Sequence, residues 1–250
     1  MLRYENLNDI SDGRIYMLDD KVCAGTNGCA GCSKCCESDM GCSIVLDPYD
    51  MYELKRKTGK GFDELLVGFY IELSMIDGIV LPNMKMDHGC KFLENRRCTI
   101  HDARPSICRL FPLGRLYKGR DFSYILEKNE CAMKVRTEVS VRDWIGYENP
   151  ETHADFIIKW HEFLKFERRK VNDADKRFSK RMTTEEEDKK AVEISENLDA
   201  FSYDRDAAAK EIMKTVIKIF YLDDYDTDKE FYGQFEGRIK ECIKALRELN

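Results

Sequence analysis

Cys29-Ala-Gly-Cys32-Ser-Lys-Cys35-Cys36 puts four thiols into eight residues. A hydrophobic core has no use for that density. A soft metal does, because thiolates bind zinc and iron–sulfur clusters and C-x2-C steps let neighbouring sulfurs converge. On a helix turning about 100° per residue, Cys29, Cys32 and Cys36 share a face and Cys35 points about 100° away. Gly25, Gly28 and Gly31 favour a loop before Cys32, since glycine permits positive φ and close backbone approach.

A second constellation lies downstream, Cys90-Lys-Phe-Leu-Glu-Asn-Arg-Arg-Cys98-Thr-Ile-His101-Asp-Ala-Arg104-Pro105-Ser-Ile-Cys108-Arg109-Leu-Phe111-Pro112. Glu94 to Arg97 predicts a tight hairpin tip that brings Cys90 and Cys98 together on paired strands. Asp102 or Ala103 starts a short helix, closed by Pro112. Between the two motifs, Cys42-Ser-Ile-Val-Leu reads as a buried strand. Asp47-Pro48 then starts a helix that Gly59 ends near Thr58. A further short helix begins at Asp63, with Leu65 and Leu66 facing inward. Asp77-Gly78 predicts a type I′ hairpin between Tyr70–Ile76 and Ile79–Leu81, with Pro82 ending or bending the second strand.

Upstream, residues 1–22 read as an adaptor in which Arg14 to Leu18 is a candidate strand. Downstream, Leu113–Tyr117 and Phe122–Leu126 flank a turn at Lys118-Gly119-Arg120, and Cys131 follows. Ser140-Val-Arg-Asp143 resembles a capping box. Asn149-Pro150-Glu151 starts a helix carrying Phe156, Ile157, Trp160, Phe163 and Leu164. Lys176 to Glu193 is a charged helix or linker. Two amphipathic helices close the chain, one with Ala208, Ile212, Val216 and Ile219, the other with Phe231, Phe235, Ile239, Ile243 and Leu246. Asp223 to Asp228 between them lacks calcium-loop spacing and reads as a solvated turn.

The 250 residues carry 41 basic and 47 acidic side chains, a net charge of −6. No broad basic face is expected, so nucleic acid is not an expected partner. No apolar run approaches the length of a membrane span. With no secretory signal in Met1-Leu-Arg-Tyr-Glu-Asn, a cytoplasmic setting is expected, where cysteines serve as ligands rather than disulfides. Of the 11 cysteines, all but Cys242 fall between Cys23 and Cys131. Cys242 shares a helix face with apolar residues and reads as core. His153 and His161 read as helix-surface residues.

The C-A-G-C-S-K-C-C run and the C-K-F-L…C-T-I-H-D-A-R-P-S-I-C-R-L-F-P motif together resemble the YkgJ-type cysteine-cluster proteins, described as a zinc- or iron-chelating CxxCxxCC domain. The resemblance spans about residues 25–145. Flagellin lysine methylases share the pattern, which in them implies iron–sulfur-dependent methyl transfer. The resemblance implies eight candidate metal ligands: Cys29, Cys32, Cys35, Cys36, Cys90, Cys98, Cys108 and Cys131. Eight thiolates exceed one tetrahedral zinc or one simple cluster. Two centres, or one centre with further reactive thiols, both fit. Cys23 and Cys42 lie outside the motif. His101 reads as a hydrogen-bonding neighbour of the ligands, and His88 as a weaker one. Arg104 and Arg109 are candidate cofactor-side residues, because a guanidinium offsets clustered thiolate charge; the alternative is that they cap helix carbonyls.

The expected fold is α+β, a cysteine-rich metal domain over 1–148 followed by a helical region over 149–250. The expected cofactor is a 4Fe-4S cluster or zinc. Three functions follow: an iron–sulfur protein of redox or group-transfer type, a non-catalytic zinc module binding a protein partner, or a methyltransferase acting on protein lysine.

Overall fold

Helix starts and turns form where their side chains dictate. Asp47 accepts from the Asp50 backbone N–H, Asp50 accepts from the Asp47 N–H, and Pro48 opens α2 (Pro48–Thr58). Gly59 ends that helix in the left-handed region at φ 71°. These elements belong to a computed structural model that describes residues 6–26, 32–39, 44–133, 136–181 and 207–249. Cys29, Cys42 and residues 182–193 lie outside the described residues. The chain is α+β, with short antiparallel strand pairs first and mostly helices after.

A short α1 (Leu7–Ile10) precedes β1 (Lys21–Gly25), which pairs with the later β8 (Thr137–Ser140). The strand expected at Arg14 to Leu18 is reduced to one bridge, between Tyr16 and Tyr124. Lys21–Gly25 takes the strand role instead because it has a partner strand and buries Val22 and Ala24 in alternation. After α2 comes α3 (Phe62–Val67), then β2 (Ile71–Ile76) and β3 (Ile79–Met84). Asp77 at φ 49° and Gly78 at φ 88° form their turn. Pro82, expected to end or bend β3, sits inside it opposite Leu73. Its carbonyl accepts from Leu46 N at 2.9 Å, and Ile44 O accepts from Met84 N at 2.9 Å. The proline nitrogen therefore faces residues 44–46, and the β2 ladder loses no bond.

The second motif contains β4 (Leu93–Glu94), β5 (Arg97–Cys98) and α4 (Ser106–Leu110). Next come β6 (Leu113–Lys118), β7 (Asp121–Leu126) and α5 (Val141–Ile145). The helical part is α6 (Pro150–Arg181), α7 (Ala207–Ile217) widening into a π-turn at Lys218–Leu222, and α8 (Phe231–Glu248). Phe156, Phe220 and Phe235 are fully buried, with Phe156 and Phe235 edge to face at 4.7 Å. Burying each contributes about 3 kcal/mol. These helices dock on α2 and its approach: Tyr52 Oη donates to Lys229 O at 2.9 Å, and Tyr221 Oη to Leu46 O at 3.0 Å. A single buried cluster runs from Tyr16 to Leu246.

His153 is not on the surface as expected. It is 2% exposed, stacked on Tyr147 at 3.6 Å and packed beside Tyr49 at 4.8 Å. Burial holds its imidazole well below the ordinary value, and Arg115 and Arg109 act in the same direction. His161 stacks on Tyr117 at 4.0 Å. Among the described residues, no helix is long and apolar enough to cross a membrane.

Candidate metal centre

The first motif ends in a wide turn. Ser33 adopts φ 53°, and its carbonyl accepts from both Cys36 N at 2.9 Å and Glu37 N at 3.0 Å. The chain continues as a π-turn over Cys35–Asp39. A π-turn winds more slowly than an α-helix, so adjacent Cys35 and Cys36 can share a side. Both line one cavity together with Cys32. The α-helical expectation that Cys35 turns away is therefore corrected.

The two motifs meet through backbone. Cys90 N donates to Cys36 O at 2.7 Å. Gly89, at φ 100°, makes the approach possible: a Cβ there would stand 3.0 Å from the carbonyls of Cys36 and Glu37. Any side chain would crowd both and adopt a disfavoured backbone conformation. The hairpin tip is Asn95-Arg96, with φ 49° and 59°. It pairs Leu93, not Cys90, with Cys98. Cys90 instead precedes β4, and its carbonyl accepts from Leu93 N at 3.0 Å.

Cys108 rides on α4, which a buried acidic pair anchors to α2. Asp50 accepts from Ser106 N at 2.7 Å, and Ser106 Oγ lies 2.8 Å from Asp50 and 3.0 Å from Asp47. Tyr147 Oη donates to Ser106 Oγ at 3.2 Å, and Trp144 Nε1 to Leu110 O at 3.2 Å. Burial pushes the carboxyls of Asp47 and Asp50 up, and the charge of Asp47 adds to the effect on Asp50. Asp50→Ala leaves the N–H groups of Ser106 and Asp47 without their acceptor. It is expected to cost about 2–4 kcal/mol and to lower metal content, as read by urea unfolding and elemental analysis.

The cavity measures about 310 Å³ and is lined by Cys32, Cys35, Cys36, Cys90, Cys98, Cys108 and Cys131. Seven of the eight expected ligands thus face one space, and the eighth, Cys29, lies outside the described residues. Burial pushes the Cys108 thiol well up, and the neighbouring thiols of Cys90 and Cys36, the Asp50 carboxyl and the Cys98 thiol add to it. Burial also raises Cys90, with Cys98 contributing, and raises Cys98 itself. A bound cation reverses this by replacing the protons. The donor set is soft sulfur in a half-enclosed space, which fits zinc or iron. Among the described residues, no three cysteine, histidine or acidic side chains are already drawn together to hold a single ion.

Arg104 lines the cavity with His101, and its Nη1 stands against the His101 ring. Burial first, and then the Arg104 charge, hold His101 below its ordinary value. Arg109, expected either beside the thiols or on helix carbonyls, does not line the cavity. Its Nη2 donates to Asp102 O at 2.7 Å and its Nη1 to Ile145 O at 3.4 Å, with the guanidinium over the Tyr147 ring at 4.9 Å. The carbonyls of the 3-10 turn at His101–Ala103 and of α5 engage it, the carbonyl-capping alternative. His88 is almost wholly exposed beside Asp87. Cys23 is exposed on β1. Cys242 is fully buried on α8. Cys242→Ser is expected to leave metal content unchanged and to cost about 1 kcal/mol, from placing a hydroxyl in an apolar site. Metal analysis and a urea titration of that variant check both halves.

Sequence reasoning missed Asp50 and Ser106. The capping residues were legible, but nothing local announces that Asp50 also caps a helix 56 residues later.

Residues 28–132 match the family model described as "CxxCxxCC: Putative zinc- or iron-chelating domain", which covers a little under half of the chain. Neither the search of curated proteins nor that of solved structures returned a significant match.

Proposed function

We propose that this chain, which carries the CxxCxxCC domain over residues 28–132, holds an iron–sulfur cluster on Cys36, Cys90, Cys98 and Cys108 and serves redox or group-transfer chemistry. The observation that carries this reading is the single 310 Å³ cavity lined by cysteines of both motifs. A lone zinc ion sits about 2.3 Å from four sulfurs and closes its own site. A cluster spreads its thiolates over several irons and needs a chamber of this kind. The shared cavity supports the choice of four, because Cys36, Cys90, Cys98 and Cys108 all line it and the Cys90 N–H donates to Cys36 O across the two motifs. Cys29, Cys32, Cys35 and Cys131 are then further reactive thiols beside that one centre. When bound, the cluster supplies one-electron transfer.

The chain's own residues tune the site. Ile44, Met84, Ile100 and Phe111 form apolar wall and limit water. Arg104 offsets thiolate charge. A reducing cytoplasm suits a half-enclosed cavity lined by so many thiols. The metal unit is assigned to 1–148 and the helical unit to 149–250, where a protein partner or protein substrate would dock. Methyl transfer to protein lysine rests on the resemblance alone.

The test is iron and acid-labile sulfide in protein purified without air or added metal. About four of each per chain is the expected result. Zinc without sulfide would replace this reading with the zinc module.

A further inference from the structure

We propose that the mouth of the cysteine cavity binds the anionic end of a small reactant, a carboxylate- or phosphate-bearing molecule whose apolar part enters beside the thiols. The proposal deepens the reading of the cavity as a reactive centre and names the substrate class it takes. Lys34, Arg96, Arg97 and Arg104 all line the cavity. Asp143 is the carboxylate among the lining residues; it accepts from the Ser140 hydroxyl, while its backbone N–H donates to Ser140, the cap of α5. The local excess of cations runs against a chain whose net charge is −6. Glu37 lies 3.7 Å from Lys34 and its carboxylate also feels the Arg96 charge, so one acid partly offsets two of the four cations.

The backbone of Arg96 is a second, independent observation. Asn95 and Arg96 occupy the central positions of the hairpin turn, at φ 49° and 59°. Asn-Gly is the pair such a turn favours, because a β-carbon at the second position is strained. Arginine is held where glycine would sit without cost, and its side chain lines the cavity. Strain of this kind in a non-glycine residue points to a role for the side chain. Thiolates alone would repel an anion. Cations at the mouth reverse that and raise the local anion concentration. Behind them, Leu93, Ile100 and Met133 offer the apolar wall.

The experiment compares how fast thiols of the purified protein react with a dianionic aromatic disulfide (dithiobis-nitrobenzoate) and with uncharged dithiodipyridine. Metal content is measured on the same samples. The wild type should favour the anionic reagent at low salt and lose that preference as salt screens the mouth. Arg96→Gly should lower the ratio of the two rates about tenfold while raising thermal stability by relieving the turn. Arg97→Gln should lower the ratio without that gain, and Arg96→Lys should retain it. A ratio that is salt-independent, or unchanged in Arg96→Gly and Arg97→Gln, overturns the proposal. Because the ratio is read on thiols, a metal-free protein would sink the cluster reading and still decide this one.

Discussion

Cys108→Ser is expected to reduce bound metal to under a tenth of the wild-type amount and to loosen both cysteine motifs together. Cys108 lies at the junction of three supports. Its helix is capped by Asp50, its thiol lines the cavity that Cys90, Cys36 and Cys98 also line, and Trp144 ties its helix to α5. Metal binding in small thiolate sites contributes folding energy on the order of 10 kcal/mol. That is comparable with the whole stability of a domain, about 5–15 kcal/mol. The helices after Asn149 bury Phe156, Phe220 and Phe235 among themselves and should remain folded. Elemental analysis with circular dichroism checks both parts. Full metal retention would remove Cys108 from the ligand set.

Glu167→Gln is expected to abolish a large pH dependence of stability. Glu167 on α6 is fully buried, and among the described residues neither carboxylate oxygen has a hydrogen-bond partner. Burial pushes the carboxyl up to about 8, against the opposing charge of Arg168. Cys242 on α8 and Tyr221 on the π-turn are close enough to feel its charge. The unfolded chain titrates this group near 4.5. The folded state therefore holds the proton more tightly. Its contribution is complete below 4.5, falls as pH rises, and is lost above about 8. At about 1.4 kcal/mol per pH unit, the loss across that window is on the order of 5 kcal/mol. Glutamine keeps the shape and cannot ionise. Urea midpoints between pH 5 and 9 should slope downward in the wild type and flatten in the variant. An equal slope in both proteins would assign the titration to other groups.

Much of this molecule is legible in short-range chemistry. Asp47-Pro48 and Gly59 bound a helix because capping is decided within a few residues. Asp77-Gly78 makes its hairpin for the same reason. The spacing of Phe156, Trp160 and Phe163 gives the buried face of α6. What failed depends on distant partners. Pro82 continues a strand because residues 44–46 take the side where its N–H is missing. His153 is buried because Tyr49 and Tyr147 close over it. Arg109 was open between the thiols and helix carbonyls; it is held by the carbonyls of Asp102 and Ile145, and no local spacing decides between the two. The cysteines that line the cavity were legible as a set, since thiols at that density have few other uses. Cys35 on the same side as Cys36 was not, because a π-turn leaves no periodic signature.

One metal region built by both cysteine motifs would couple their folding. Hydrogen exchange on Cys36→Ser tests it most directly, since the contact from Cys90 N to Cys36 O and the shared cavity join the two motifs at this residue. Residues 32–39 and 90–108 should lose protection together, with release of metal, while α6 and α8 stay protected. Release of metal with residues 90–108 protected as in the wild type would contradict it and assign the motifs to independent sites.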